Sequence, residues 1–282
     1  MSNGAVAGAD AIDLHTHSTA SDGLLSPARL VALATERGLR VLALTDHDTT
    51  DGLPEAQAAA AAAGLRFIPG VELSTHVEAG EVHVLGYFID PGHPALRAAL
   101  AQFRAAREGR AATIVERLTA AGAPIQLERV LSFASGSIGR PHVARALVEA
   151  GHATSINDAF ERWLVRGRPG YVERYRLTPP DAVRLIRAAG GVPVLAHPHS
   201  ADDLPRLLPE LVAAGLAGIE CYYGDYDDAR KRSYLALAAR YDLVPSGGTD
   251  FHGTGVAHRR PLGGTWLPPE TPDLLAARQQ QP

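Results

Sequence analysis

The sequence predicts an α/β fold, a seven-stranded β/α barrel interrupted by an inserted helical segment. Three observations lead there. Strand-like apolar runs alternate with helical ones near both ends of the 282 residues, the pattern of a mainly parallel sheet wrapped by helices. Residues 95–176 read as helical and arginine-rich, with no clear strand among them. Most of the clustered histidines and acidic residues fall directly after the strand runs, where the loops of an α/β barrel converge on one mouth.

The elements follow in order. Residues 11–14 form the first strand, and "SPARLVALATERG" is a helix with Ser26 as N-cap, Pro27 at its first position and Gly38 as its stop. "RVLALTDHD" is the second strand and "PEAQAAAAAAG" a helix rich in the strongest helix former. "RFIPGVELS" and "EVHVLGYFID" are the third and fourth strands. Late in the chain the helices "PPDAVRLIRAAG", "DLPRLLPELVAAG" and "DDARKRSYLALAARYD" each lead into an apolar run: "VPVLAHPH", "LAGIECYY" and "LVPSGGTDFH". This assigns residues 10–94 and 177–270 to the barrel and 95–176 to the inserted domain, with "ARQQQP" as a frayed tail.

In "AIDLHTHSTASDGLLS", His15 and His17 are two apart on an extended segment, so they share a face and can offer two imidazoles to one cation. An isolated H-x-H is as readily a pair of hydrogen-bonded loop histidines, and its company decides. Asp46, His47 and Asp48 follow the second strand, Glu72 ends the third, His197 and His199 follow the fifth, and Asp250 and His252 the seventh. His83 departs from the rule, lying near the beginning of its run. If "VELSTHVEAGEVHVLGYF" is a hairpin turning at Glu78 to Glu81, the fourth strand is antiparallel and its start returns His83 to Glu72.

Composition removes several function classes. The single cysteine, Cys221, excludes an intramolecular disulfide framework and a thiolate-rich zinc site, so a metal here uses nitrogen and oxygen donors, which twelve histidines supply. A net charge of −4 argues against a surface that grips long nucleic acid nonspecifically, though it leaves room for a local basic groove. No apolar run approaches the roughly 20 residues that span a bilayer. "MSNGAVAGAD" lacks the features of a signal peptide, so a cytoplasmic protein is expected.

The motifs "DLHTHSTASDG", "LALTDHDTTDG", "PGVELST" with "VHVLGYF", "LAHP" and "SGGTDFHG" together resemble the PHP (polymerase and histidinol phosphatase) family of metal-dependent phosphoesterases. The resemblance covers residues 10–92 and 178–264. It implies a distorted seven-stranded barrel with a trinuclear metal site. Within the family the chain looks most like the bacterial nucleoside 3′,5′-bisphosphate phosphatases and 5′-to-3′ exoribonucleases, whose helical insert carries a segment like "SGSIGRPHVARALVEAG". By the family pattern His15, His17, Glu72 and Asp250 surround one metal. Asp22, His47 and His252 lean to a second, and a bridging Glu72 with His83 and His197 holds a third. Six imidazoles and three carboxylates suit Mn²⁺ first, or Fe²⁺ or Zn²⁺, better than Mg²⁺ or Ca²⁺.

The chemistry this implies is phosphomonoester hydrolysis by a metal-activated hydroxide, with Glu72 and Asp250 at the reacting centre. His199 could protonate the leaving oxygen or simply hydrogen-bond a ligand. From the insert, which would cap the substrate, Arg140 and His142 resemble the family's phosphate-facing positions; the plainer reading of Arg140 is a surface salt bridge. Arg104, Arg107 and Arg110 recur every third residue with Arg97 and Arg117 flanking, either for a second phosphate or RNA backbone or as a solvated face. Tyr222 and Tyr223 could stack a base, and Asp46 and Asp48 read as supporting or capping groups. His76, His93, His152 and His258 read as surface histidines and Cys221 as a buried apolar residue.

The leading expectation is removal of the 3′-phosphate of nucleoside 3′,5′-bisphosphates, with exoribonuclease action on short 5′-phosphorylated RNA as the close variant. A histidinol-phosphate-type phosphatase is the second, an inactive accessory PHP module the third. An unrelated H-x-H amidohydrolase is the weakest, since the only lysine, Lys231, lies in a helix. The expected partners are a small phosphorylated nucleotide or short RNA, with no membrane and no obligate protein partner.

Overall fold

Chain order and sheet order coincide in the computed structural model, which describes residues 11–75, 77, 82–133, 138–172, 177–224, 226–254 and 261–279. β1 (Ile12–Asp13), β2 (Val41–Leu44), β3 (Arg66–Thr75), β4 (Val82–Tyr87), β5 (Val192–Leu195), β6 (Gly218–Tyr223) and β7 (Val244–Gly248) are neighbours in that sequence. β4 runs antiparallel to β3 and β5, and the other neighbours pair in parallel. A parallel bridge between Thr16 and Phe251, just beyond β1 and β7, nearly closes the sheet into a barrel. Asp13 secures that seam: fully buried, it accepts the Thr249 amide at 3.0 Å, the Thr249 hydroxyl at 2.5 Å and the Gly263 amide at 2.9 Å.

The expected hairpin is there, with Ser74 opposite His83 and Glu72 opposite Leu85. Its turn, Glu78 to Glu81, lies outside the described residues.

Alternate strand residues serve two cores, as the period of two requires. On β2, Leu42 and Leu44 join the outer core against α1 (Pro27–Glu36) and α2 (Leu53–Ala63), while Val41 and Ala43 join the inner one. Ser26 caps α1 as read, accepting the Arg29 amide at 3.4 Å behind Pro27. α7 (Pro179–Ala188), α8 (Leu204–Ala213) and α9 (Asp228–Arg240) continue the outer layer through Ile186, Leu211 and Tyr234. The inner core holds Leu14, Ile68, Tyr87, Val192 and Val194 together with Leu267 and Leu275. Leu275 belongs to α10 (Thr271–Ala277), a helix absent from the sequence reading, which ends the barrel at 270. α10 is only seven residues long, and although Pro272 stands in its first turn, its N-cap, Glu270, makes no side-chain capping bond.

The segment between β4 and β5 is helical among the described residues: α3 (Pro94–Ala120), α4 (Leu127–Leu131), α5 (Arg140–Glu149) and α6 (Ile156–Ala159), the last running into one π turn over residues 160–164. α3 belongs to two cores. Leu96, Leu100 and Phe103 pack into the outer barrel core, whereas Ile114 and Leu118 build a separate core with Val130, Val143, Leu147 and Leu164. Each leucine so buried is worth about 2 kcal/mol of transfer free energy, enough to hold a small core of its own. Among the described residues no helix is long and apolar enough to cross a membrane.

Candidate metal centre

Glu72 is the hub of the barrel mouth. It lies on β3 and is fully buried. Its Oε2 is 3.1 Å from Nε2 of His15, 3.2 Å from Nε2 of His17 and 3.2 Å from Nδ1 of His47. Its Oε1 is 2.8 Å from Nδ1 of His83 and 3.0 Å from Nε2 of His197. Five imidazoles from four strand ends therefore converge on one carboxylate, because the β-period places His15 and His17 on one face and the antiparallel β4 returns His83 to its mouth. Asp250 follows, with Oδ1 3.1 Å from Nε2 of His17 and 3.5 Å from Nε2 of His15. His252 completes the ring, its Nε2 3.3 Å from Oδ1 of Asp22.

Donor atoms fall into three overlapping groups, each compact enough to hold one cation: His15, His17, Glu72 and Asp250; His17, Asp22, His47 and His252; His47, Glu72 and His83. The first is the set the family pattern implies, and the second adds His17 to it. In the third the compact partner of Glu72 and His83 is His47, while His197 stands against the same Glu72 oxygen as His83.

The electrostatics are those of a site made for cations. Burial would raise the Glu72 carboxyl, but the neighbouring His47, His15 and His83 outweigh it and hold it well below the usual range. Asp22 is likewise held low, burial being outweighed by His252 and His47. Burial drives His47 well below an ordinary histidine. His15 is driven up, Glu220, Glu72 and Asp250 overcoming its burial, and His17 is raised to about 9 by Asp250 and Glu72 against its burial. Nδ1 of His17 and Nε2 of His83 are buried without a hydrogen-bond partner. Buried nitrogens in that state are costly, and a divalent ion among imidazoles and carboxylates relieves such a cost. The donor set thus fits divalent metal.

The backbone is strained where these residues sit. Asp48, His197 and Asp250 adopt φ of 51°, 25° and 52°, a region that non-glycine residues rarely visit and that concentrates at functional sites. Asp46 supports the loop that carries Asp22, accepting the Ser18 amide and the Ser18 and Ser21 hydroxyls, each at 2.7 Å.

The residues expected to face substrate divide. His199 lies in the short 3₁₀ turn Pro198–Ser200, T-shaped against His197, with Nδ1 2.7 Å from the Tyr226 hydroxyl. His142, on the first turn of α5, is buried, its Nδ1 accepting the Gly139 amide at 3.0 Å, and Asp22 is among the charges it feels. The Arg140 guanidinium lies over the Phe160 ring and reaches the Leu164 carbonyl at 3.4 Å. The arginine row on α3 is not a bare cationic face. Arg104 pairs with Asp51, Arg110 donates to the Val172 carbonyl at 2.7 Å and Arg117 to the Tyr171 carbonyl at 2.6 Å. Arg107 is a tether: it grips Asp48 through Nε at 2.8 Å and through its terminal nitrogen, and donates to Ser74 and to the Ile138 carbonyl at 3.0 Å each. Tyr223 donates to Oδ2 of Asp250 at 2.8 Å, and Tyr222 meets Trp266 edge-on. Cys221 is buried as read, its thiol pushed up to about 12 by burial. His76 and His258 lie outside the described residues.

One residue of the site is missing from the sequence reading. Glu220, fully buried on β6, sets Oε1 3.0 Å from Nδ1 of His15. The only signal was a lone carboxylate in the apolar run "LAGIECYY", with no neighbouring motif to single it out.

The PHP domain model matches residues 13–164, more than half of the chain. The chain belongs to the PHP family. The match to this PHP protein takes in much of the helical segment, which the motif resemblance leaves out. It is 42% identical over 251 residues to the 5′-3′ exoribonuclease Rnm of Salmonella typhimurium, covering 85% of this chain and 84% of that one. It is 39% identical over 254 residues to the 3′,5′-nucleoside bisphosphate phosphatase of Chromobacterium violaceum, covering 88% of this chain and 89% of that one. A solved structure described as an amidohydrolase from Chromobacterium violaceum, with bound sulfate and no metal, superposes with a TM-score of 0.85 at 38% identity, over 95% of this chain and 96% of that one. The PHP protein is therefore a hydrolase, a metal-dependent phosphoesterase on a nearly closed seven-stranded barrel.

Proposed function

We propose that this PHP protein removes the 3′-phosphate of nucleoside 3′,5′-bisphosphates, converting bisphosphate and water to the nucleoside 5′-phosphate and inorganic phosphate. The observation that carries the reading is the overlap of three compact donor groups at one barrel mouth, two of them sharing Glu72. His15, His17, Glu72 and Asp250 would hold one ion, Asp22, His47 and His252 with His17 a second, and Glu72, His83 and His197 a third, with Mn²⁺ the ion of choice. Such ions supply a nucleophile from water at neutral pH and offset charge on the phosphoryl oxygens.

The chain's own residues do the rest. Glu72, common to two of the groups, would hold those ions together. His199, exposed beside His197 with one ring nitrogen engaged by Tyr226, would protonate the departing 3′-oxygen through its other nitrogen. Residues 95–176 act as the substrate cap, with Arg140 and His142 of α5 meeting the second phosphate. Arg107 serves the barrel instead, held by the shielded Asp48, whereas Arg104, in an exposed pair with Asp51, stays open to a phosphate.

A second reading, stepwise 5′-to-3′ hydrolysis of short 5′-phosphorylated RNA, is favoured by the 42% identity to an exoribonuclease. Both readings use one metal centre and one 5′-phosphate contact. Phosphate and nucleotide release from adenosine 3′,5′-bisphosphate, a short 5′-phosphorylated RNA and histidinol phosphate, each with Mn²⁺, separates them. The proposal expects the bisphosphate to be the fastest substrate and Arg140→Ala to slow it more than histidinol phosphate; histidinol phosphate as the best substrate would overturn it.

A further inference from the structure

β6 carries none of the nine donor residues, yet two of its side chains hold three of them. Glu220 sets Oε1 3.0 Å from Nδ1 of His15 and accepts the backbone N–H of His197 on Oε2 at 2.6 Å. Tyr223 donates its hydroxyl to Oδ2 of Asp250 at 2.8 Å. Residues three apart on a regular strand point to opposite faces. Here the register slips: Glu220 pairs with Ser246 and Tyr222 with Gly247, leaving Cys221 without a partner on β7. That extra residue is a bulge, and it turns Tyr223 onto the face that Glu220 already occupies. The bulge presses the Tyr222 carbonyl against Gly247, where a Cβ would lie 1.8 Å from that oxygen. Glycine is the residue that can stand opposite it.

The two contacts decide how their partners present themselves. A carboxylate only accepts, so with a cation bound Nδ1 of His15 would keep its proton toward Glu220, and Nε2, 3.1 Å from Glu72 and 3.5 Å from Asp250, would give its lone pair to the cation. With Oδ2 of Asp250 held by Tyr223, Oδ1 is the oxygen turned to His15 and His17.

We propose that β6 is the positioning strand of the metal centre: Glu220 and Tyr223, brought to one face by the bulge at Cys221, fix the tautomer of His15, the backbone of His197 and the rotamer of Asp250, and so set metal affinity. The inference rests on the metal reading above. It makes both residues positioning residues that act through the ligands they hold.

The test uses metal-free full-length protein, Glu220→Gln and Tyr223→Phe, each titrated with Mn²⁺ alone by calorimetry, with bound manganese counted per chain and the fold followed by circular dichroism. In Glu220→Gln the amide oxygen stays with the His197 N–H, so the amide nitrogen faces His15 and forces the ring proton onto Nε2. The expected result is a loss of Mn²⁺ affinity of about 10–100-fold, with nitrogen NMR showing the His15 proton moved from Nδ1 to Nε2. Tyr223→Phe, which removes one hydroxyl, is expected to weaken Mn²⁺ about 10-fold with the fold intact, and decides the matter alone if the first variant does not fold. Wild-type affinity and stoichiometry in the folded variants would overturn the inference. A wild-type chain that takes up no Mn²⁺, Fe²⁺ or Zn²⁺ would instead overturn the metal reading beneath it.

Discussion

Nδ1 of His83 lies 2.8 Å from Oε1 of Glu72 across the antiparallel β3–β4 pair, β4 being the one strand that runs against its neighbours. That reversal sets Glu72 in two candidate donor groups at once, with His15, His17 and Asp250 on one side and His47 and His83 on the other. Glu72→Gln keeps the shape and removes the charge that its five imidazole neighbours share. Metal affinity is expected to fall by more than the 10–100-fold typical of losing an outer partner, with phosphate release falling in step. Metal content per chain after dialysis against Mn²⁺, measured beside the rate, checks it; a variant that keeps its metal and loses only rate would make Glu72 a chemical group and not a bridge.

Metal uptake should displace protons. In the metal-free chain His15 and His17 both sit above their ordinary values, His17 at about 9, because neighbouring carboxylates favour the charged rings. The stability they give the metal-free chain is full below pH 6.5 and is lost for His17 as pH rises through about 9. Binding a cation requires the neutral ring, so Mn²⁺ affinity should climb from pH 7 to 9 and level off beyond. Calorimetry in buffers of different ionisation enthalpy reads the released protons; uptake without release would contradict the assignment of these rings as ligands.

Arg107 joins α3 to the loop after β2 through Asp48, with both side chains largely shielded from water. Arg107→Ala strands the Asp48 carboxylate, and the expected cost is about 3 kcal/mol of stability. Urea unfolding followed by fluorescence measures it, and a loss below half that value would show the pair to be a surface contact.

Gly248 packs so tightly on β1 that a Cβ would stand 2.5 Å from both the amide nitrogen and the Cβ of His15. Gly248→Ala must push β1 from β7, at an expected cost of about 2 kcal/mol or more, with weaker metal binding as His15 shifts. Thermal melts with and without Mn²⁺ separate the two effects; a variant that melts like the parent in both would show that the seam can give.

Much of this was legible in the sequence, and the limits have physical causes. Strand and helix order follow from apolar periodicity, and the clustering of histidines and carboxylates follows from strand ends sharing a mouth, while the choice of nine donors among them, Asp22 included, comes from the family resemblance. Even the antiparallel turn of β4 follows from His83 lying at the wrong end of its run. Glu220 was not legible, since a single carboxylate in an apolar strand announces nothing until His15 is seen beside it. The arginines of α3 were legible as a row but not as tethers, because Asp48 and Asp51 lie more than fifty residues away in sequence. α10 lacked a capping signal, and Leu275 shows its purpose only within the inner core.

The most direct test of a metal-bridged phosphomonoesterase is phosphate release from adenosine 3′,5′-bisphosphate by the Mn²⁺-loaded protein beside His15→Ala. The account predicts release of one phosphate with the nucleoside 5′-phosphate as the other product, lost on chelation and lowered by about 10²-fold or more in the variant. Release that survives chelation, or that His15→Ala leaves unchanged, would contradict it.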